Sequence, residues 1–252
     1  MDRKSLISLV ALIFIIAGVG LYLGLRPSPV KAPAHDVSTI ANPYTESGAY
    51  YDIVANYPTT TPLMGPANES AVASMQAFII DSVSQFKKDG NFDNLTPSDI
   101  KTLGFGQGRT YSLEILYLIS SSPHTASYIF TTSEDTGGAH PNTFFRTFTF
   151  NKDVGKELAL ADLFIPGSDY LGMLSSIART KLPQIIGPLA DTNMIKEGTV
   201  PVEKNFKNFF IDNGTLDILF DPYAVAAYAA GPQTLQIPLK DLSGILKSEY
   251  RP

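Results

Sequence analysis

The sequence predicts an α+β domain with a mostly antiparallel or mixed sheet and packed helices, preceded by one transmembrane helix. Three observations support this fold class: an uncharged apolar run near the N-terminus, an amphipathic helical pattern at 68–89, and several Tyr-, Phe-, Ile- and Thr-rich segments that end at turn residues. Strand and helix patterns do not alternate regularly. An antiparallel or mixed sheet is therefore expected rather than a doubly wound parallel sheet.

The apolar run from Leu6 to Leu25 contains no charged residue. As a helix, a run of this length spans about 30 Å, the thickness of the hydrocarbon core of a bilayer. Arg3 and Lys4 precede it, which favours a cytoplasmic N-terminus. We therefore expect residues 1–5 to be a cytoplasmic stub, residues 6–25 a single-pass anchor in the cell membrane, and the rest of the chain an extracytoplasmic domain.

A cleaved signal peptide is the alternative interpretation of this run. Its apolar region would be shorter and would end near a pair of small residues at the cleavage site. The nearest candidate here, Ala32-Pro33-Ala34, lies well beyond the run and has proline in its middle. The anchor is therefore favoured, and both interpretations export the domain.

Residues 26–48 are expected to be a linker, because prolines interrupt any helix and apolar periodicity is absent. Residues 49–120 are expected to form an N-terminal α+β subdomain, with a strand at 49–57 and a helix at 68–89. Asn68 is predicted to cap this helix and Gly90 to close its end. Its apolar side chains recur at three- and four-residue steps and predict one buried face: Val72, Met75, Ile79, Val83 and Phe86.

Residues 121–252 are expected to form a C-terminal α+β domain. Apolar and β-branched segments predict strands at 109–121, 125–132, 143–150 and 233–239. A helix capped by Ser168 is expected to end before Pro183, and a short helix at 239–247 is expected to close the domain. Asp212-Asn213-Gly214 predicts a hairpin, because Asn-Gly tolerates the positive φ angles of a type I′ turn.

The composition excludes several classes of function. A net charge of −5 gives no electrostatic basis for binding nucleic acid. The absence of cysteine excludes disulfides, thiolate catalysis and cysteine-based zinc sites. Of the three histidines, His35 lies in the linker, away from His124 and His140, so neither a metal site nor a cofactor is expected. No complete catalytic motif is visible, and the protein is not expected to be an enzyme.

The most unusual segment runs from Glu134 to Thr143, between two predicted strands. Gly137 and Gly138 allow a sharp reversal of the chain, and Pro141 favours an extended His140. The loop is expected to present three polar side chains, those of Asp135, His140 and Asn142. They either form a ligand-binding surface or hydrogen-bond the loop's own backbone, and the sequence leaves both interpretations open.

The alanine-rich segment from Phe220 to Gly231 carries two tyrosines, Tyr223 and Tyr228. They can offer an aromatic surface to a sugar or a protein. They can also pack a loop against the sheet with their hydroxyl groups hydrogen-bonded, and this packing role is the favoured interpretation.

Several runs resemble an uncharacterised bacterial extracellular domain family: Gly137-Gly138-Ala139-His140, Leu160-Ala161-Asp162-Leu163-Phe164, Gly167-Ser168-Asp169-Tyr170-Leu171, Tyr223 to Gly231, and Ile237-Pro238-Leu239. This family forms the ectodomain of the lysozyme-sensing anti-sigma factor RsiV and accompanies some peptidoglycan deacetylase domains. The part from about Ala49 is similar to the smaller domain that usually precedes it. Because neither a sigma-factor-binding segment nor a deacetylase domain is recognisable here, the resemblance implies the role of the ectodomain alone.

The leading hypothesis is a membrane-anchored, extracytoplasmic, non-catalytic binding domain that recognises a lysozyme-like protein or a peptidoglycan fragment. The alternative is an enzyme that modifies cell-wall glycans with Asp135, His140 and Asp221, which would have to converge in one cleft. A third possibility is an accessory subunit that pairs through Gly20 and Gly24 in the membrane. The sequence leaves the oligomeric state open.

Overall fold

Two β-sheets and four α-helices make up residues 43–252, the part of the chain that the computed structural model describes. The predicted stub, the predicted transmembrane helix and most of the predicted linker lie outside these residues. Within residues 43–252, no helix combines the length and the apolarity needed to cross a membrane. The expected α+β fold with a mixed sheet is confirmed for the described part.

The larger sheet has six strands in the order of the chain. They are β1 (Pro43–Ser47), β2 (Tyr51–Asn56), β3 (Tyr111–Ser121), β4 (Thr125–Asp135), β5 (Asn142–Asn151) and β6 (Lys156–Glu157). All neighbours are antiparallel except β2 and β3, which are parallel. A parallel pair needs a long crossover, and the helices between β2 and β3 supply it.

Strand β1 occupies the end of the segment predicted to be a linker, so the linker assignment is wrong for Pro43–Ser47. Proline is tolerated at the start of an edge strand, where its missing N–H is not needed. Side chains then hold the strand in place. The Glu46 carboxylate accepts hydrogen bonds from Tyr44 Oη, Tyr51 Oη and Lys87 Nζ.

Helix α1 (Pro66–Gly90) confirms the long amphipathic pattern. Its buried residues are Ala71, Met75, Ile79, Val83 and Phe86, so four of the five predicted core positions are right and Val72 is half-buried. Two predicted caps are wrong. Gly65 precedes the helix and Asn68 accepts from Thr61 N (2.6 Å), while Asn91, with φ 48°, ends the helix in the left-handed conformation.

The first hydrophobic core lies between α1 and one face of the large sheet. It is rich in aromatic rings; Phe78 of α1 contacts Phe130 of β4 and Phe148 of β5, with centroids 5.3 and 6.0 Å apart. Helix α2 (Pro97–Leu103) adds Ile100 and Leu103 to its border. This core holds the strands that carry one half of the candidate site.

The smaller sheet is antiparallel and contains β7 (Phe209–Asp212), β8 (Thr215–Phe220) and β9 (Gln233–Pro238). The predicted type I′ hairpin is confirmed by φ angles of 44° at Asn213 and 79° at Gly214. One face of this sheet packs against helix α3 (Tyr170–Ile186) in a second core, and helix α4 (Thr192–Gly198) lies beside α3.

Two boundaries near this core differ from the prediction. Helix α3 is capped by Asp169 rather than Ser168 and continues through Pro183 to Ile186, because burial of Leu182 and Ile186 outweighs the main-chain bond that proline removes. The segment after β9 forms only a 3₁₀ turn, Leu239–Leu242. Its continuation pairs with the 163–165 region instead, through Ile165 N to Ile245 O (2.8 Å).

Further 3₁₀ turns connect the elements: Phe92–Asn94, Phe105–Gln107, Leu160–Leu163, Gly187–Leu189, Glu203–Asn205, Tyr228–Ala230 and Ser248–Tyr250.

Side-chain hydroxyl groups join the two sheets. Strand β7 directs its free main-chain groups at the large sheet, where Thr147 Oγ1 accepts from Phe209 N (3.0 Å) and Thr149 Oγ1 donates to Phe209 O (2.9 Å). Ser120 Oγ donates to Ile211 O (3.0 Å). The predicted boundary between residues 120 and 121 falls inside β3 of the shared large sheet, and all described residues belong to one unit, Asp36–Pro252.

Candidate functional site

The loop at 136–141 connects β4 to β5 and is shaped by its own backbone. Asp135 Oδ1 accepts from Gly137 N (2.8 Å), and Gly137 has a φ angle of 80°. A Cβ atom on Gly137 would lie 1.7 Å from Arg109 Nη2, but this is the end of a flexible, exposed side chain that can move aside, so it is the positive φ angle that favours glycine here. At Gly138 a Cβ atom would meet nothing closer than 3.6 Å. Asp135 and Gly137 therefore set the shape of the loop.

His140 is held by three contacts. Its Nδ1–H donates to Pro141 O (3.0 Å), and its Nε2 lies within hydrogen-bond distance of Tyr223 Oη (3.3 Å). The imidazole also stacks on Tyr228, with ring centroids 3.5 Å apart and an interplanar angle of 10°. Both ring nitrogens are thus engaged inside the site.

The segment after β8 brings the two tyrosines to this loop. Asp221 Oδ1 accepts from Phe145 N (2.8 Å) and ties the segment to the edge of β5. Tyr223 follows with a φ angle of 68°, a left-handed conformation that is unfavourable for a bulky side chain. Its ring is 58% exposed. Residues in strained backbone conformations cluster at active sites and ligand-binding sites.

These elements enclose a cleft of about 260 Å³, which we call the aromatic cleft. It is lined by His140, Asn142, Thr143, Phe144, Asp221, Pro222, Tyr223 and Tyr228. Phe144 is 47% exposed and adds a second accessible ring to that of Tyr223. Burial raises the pKa of the Asp221 carboxyl, against the opposing effects of the Phe145 N–H and the Lys207 charge.

The structure brings together four of the predicted ligand-binding residues: His140, Asn142, Tyr223 and Tyr228. Gly137 and Gly138 lie in the adjoining loop and do not line the cleft. Asp135 is also absent from the lining, so the three carboxyl and imidazole groups of the enzyme hypothesis do not converge; only His140 and Asp221 share the cleft.

Sequence reasoning missed three lining residues, Thr143, Phe144 and Pro222. Phe144 lies in the strand predicted at 143–150, and no role in the site was assigned to it. Its exposure follows from its position near the start of β5, beyond the end of the first core. Its position in the sequence could have indicated this role, because a phenylalanine that directly follows a polar loop lies next to any ligand that the loop binds.

One further histidine lies close to a carboxylate, outside the aromatic cleft. His124 Nδ1 and Asp153 Oδ2 are 2.7 Å apart on exposed turns. Across residues 43–252, no group of three His, Cys, Asp or Glu side chains is arranged to hold a metal ion.

Residues 161–240 match the model of a family described as "Protein of unknown function (DUF3298)". The expected family resemblance is confirmed. The DUF3298 match includes Asp221, Tyr223 and Tyr228, whereas the loop at 136–141 precedes it.

Two curated proteins are similar to this chain. Peptidoglycan-N-acetylmuramic acid deacetylase PdaC from Bacillus subtilis is 29% identical over 219 residues, which cover 85% of this chain and 42% of that protein. Esterase Rv3036c from Mycobacterium tuberculosis is 25% identical over 114 residues, which cover 45% of this chain and 49% of that protein. The matches therefore span less than half the length of either relative.

Two crystal structures of DUF3298 family proteins share the fold. The Bacteroides fragilis protein has a TM-score of 0.58 at 17% identity, covering 82% of this chain and 92% of that one. The Pseudomonas aeruginosa protein has a TM-score of 0.53 at 16% identity, covering 86% of this chain and 98% of that one. At these identities the likeness concerns the fold alone.

Proposed function

We propose that this protein is a membrane-anchored, extracytoplasmic and non-catalytic binding protein whose aromatic cleft recognises a cell-wall glycan. The observation that carries the proposal is the exposed pair of rings, Tyr223 and Phe144, beside the Asp221 carboxyl and the Asn142 amide. Sugar rings bind through apolar contact of their C–H faces with aromatic side chains and through hydrogen bonds from their hydroxyl groups. Both kinds of group are present on one small surface.

The side-chain atoms that could act in catalysis already have hydrogen-bond partners within the protein. Both His140 ring nitrogens and one Asp221 oxygen have partners within the protein. Apart from the two tyrosines, Thr143 is the one hydroxyl-bearing side chain among the described lining residues. These contacts favour a rigid recognition surface over an activated nucleophile.

The cell wall is favoured as the place of action by the similarity to PdaC, whose name states that it acts on peptidoglycan. The apolar run at residues 6–25 supports export and anchoring. A lysozyme-like protein is the second candidate ligand, because a net charge of −5 attracts cationic partners and because the resembled family includes a lysozyme-sensing ectodomain.

Calorimetric titration of the full-length chain in detergent tests the proposal. Peptidoglycan fragments are expected to bind, and Tyr223→Ala is expected to weaken binding about tenfold through loss of the stacking surface. Tyr223→Phe keeps the ring and should bind normally. His140→Ala removes the ring that stacks on Tyr228 and should also weaken binding, whereas the matched control His124→Ala, on a different surface, should bind normally.

The outcomes separate the candidates. Binding of lysozyme alone, unchanged by Tyr223→Ala, would support the protein ligand and exclude the glycan at this cleft. Failure of both ligands to bind would overturn the proposal.

A glycan-modifying enzyme is the second candidate function. It is favoured by the names of the two relatives, a deacetylase and an esterase, and by the presence of His140 and Asp221 in one cleft. Release of acetate from acetylated peptidoglycan, abolished by Asp221→Asn, would establish it. The binding proposal expects no acetate release above that of a heat-denatured sample.

A further inference from the structure

A second and larger cleft, of about 470 Å³, opens at the outer edge of β5. Three of its lining residues carry positive charge: Arg146, Lys204 and Lys207. We call it the basic cleft. Its charge is opposite to the net charge of −5 on the whole chain, and two carboxylates, Glu157 and Glu203, also line it.

Both carboxylates of the basic cleft are engaged. Glu203 Oε1 accepts from Tyr170 Oη (3.0 Å). Glu157 lies 3.6 Å from Arg146, and burial raises its pKa, which disfavours the negative charge there. In residues 43–252, neither Lys204 nor Lys207 forms an ion pair with a carboxylate. Lys204 and Lys207 therefore offer two positive charges to the cleft that no ion pair among the described residues occupies.

The floor of the basic cleft is an open strand edge. Strand β6 pairs with β5 only at Phe150 and Asn151. Phe145 N and Thr149 O point outward, because they bond to Asp221 Oδ1 (2.8 Å) and Leu158 N (2.7 Å). Main-chain groups on one edge recur at every second residue, so the N–H and C=O of Thr147 point the same way, into the cleft that Thr147 lines.

The two clefts are neighbours on this edge. Asn142, Thr143 and Phe144 line the aromatic cleft, and Arg146 and Thr147 line the basic cleft. Thr143 and Thr147 are roughly 13 Å apart along the strand. Asp221 lies between the two clefts. Its carboxylate accepts a hydrogen bond from Phe145 N, and the positive charge of Lys207 acts to lower its pKa. One oligosaccharide of two or three sugar units can therefore contact both clefts.

We infer that the basic cleft is a carboxylate subsite for the ligand of the aromatic cleft, so that the protein selects acidic saccharides over neutral ones. This inference rests on the proposed function. Arg146, Lys204 and Lys207 supply the charge, and the Thr147 N–H supplies a fixed donor. Three cations against two carboxylates leave a single net positive charge, which matches a carboxylate better than a doubly charged phosphate.

The test compares two ligands of equal size with the full-length chain in detergent. One is an oligosaccharide that contains N-acetylmuramic acid with its free carboxylate, and the other is the same oligosaccharide with that carboxylate amidated. We expect the acid to bind about tenfold more tightly at low salt, the size of one charge-assisted hydrogen bond. The ratio should fall as salt is added.

The variant Lys204→Gln/Lys207→Gln should remove this preference, so that the acid and the amidated ligand bind with equal affinity. Lys101→Gln/Lys240→Gln makes the same charge change on residues outside both clefts and should keep the preference. Equal affinity for acid and amide in the wild type would overturn the inference and leave the proposed function standing. A preference that survives Lys204→Gln/Lys207→Gln would also overturn it. Absence of binding by either ligand would overturn both.

Discussion

Replacement of Glu46 by Gln should destabilise the edge of the large sheet in a pH-dependent manner. The Glu46 carboxylate accepts from Lys87 Nζ (2.5 Å), Tyr44 Oη and Tyr51 Oη (2.6 Å). These donors lower the pKa of Glu46 from 4.5 to about 2. The carboxylate thus links β1 and β2 to the last turn of α1.

The magnitude follows from that pKa. A decrease from 4.5 to about 2 corresponds to at most about 3 kcal/mol of stabilisation. The side chains of Glu46 and Lys87 are 30% and 35% exposed, so solvent screening reduces this value. We expect Glu46→Gln to lower the free energy of unfolding by about 1 kcal/mol at pH 7.

The sign of the pH dependence is fixed by the direction of the pKa change. A carboxyl whose pKa is lowered by folding contributes its full stabilisation above its unfolded value of 4.5, and the contribution is lost as the pH falls through about 2. At pH 3 the difference between the wild type and Glu46→Gln should be less than half of its value at pH 7.

Urea unfolding followed by circular dichroism measures both quantities. Glu114→Gln, which neutralises an exposed carboxylate on β3, is the matched control and should match the wild type at both pH values. Equal stability of Glu46→Gln and the wild type at pH 7, or a difference that does not change between pH 7 and pH 3, would refute the reasoning.

Three further predictions concern the sheet contact and the site. Thr149→Val should lower the free energy of unfolding by about 1–2 kcal/mol in urea titrations, because it leaves a buried main-chain acceptor of β7 without its donor, and an unchanged midpoint would contradict this. Gly137→Ala should cost about 1–2 kcal/mol because of its positive φ, whereas Gly138→Ala should stay within about 0.5 kcal/mol; calorimetric melting compares the two. Asp221→Asn should be more stable than the wild type at neutral pH, because a carboxyl with a raised pKa loses stabilising free energy as it ionises. The gain should decrease as the pH falls below that raised pKa and vanish below the ordinary value of 3.8, and a gain independent of pH would refute the assignment.

Local signals in the sequence predicted the elements that depend on local chemistry. The periodicity of α1 identified four of its five buried positions, and Asn213-Gly214 identified the hairpin. The parallel pairing of β2 with β3 could not be predicted, because nothing in either strand specifies a partner separated by a long crossover. Strand β1 could not be predicted for a similar reason, since its Glu46 is held in place by Lys87, which is distant in the sequence.

The sequence predicted some of the residues of the candidate site but not their contact. The loop with His140 and the segment with Tyr223 each stood out, but their contact depends on the packing of two sheets. Asp135 was misjudged, because a carboxylate two residues before Gly137 serves the turn as readily as a ligand. The basic cleft could not be predicted, because Arg146 and Lys207 are distant in the sequence and neither lies in a recognisable motif.

The hydroxyl groups that face β7 have a consequence for the behaviour of the molecule in crowded surroundings. A strand with free main-chain groups is a template on which a second molecule can add its own strand. Thr147, Thr149 and Ser120 occupy those groups from within the same chain. Loss of one of these hydroxyl groups would therefore weaken the fold and would also leave main-chain groups of β7 free to pair with a strand of another molecule. The destabilised protein would then aggregate.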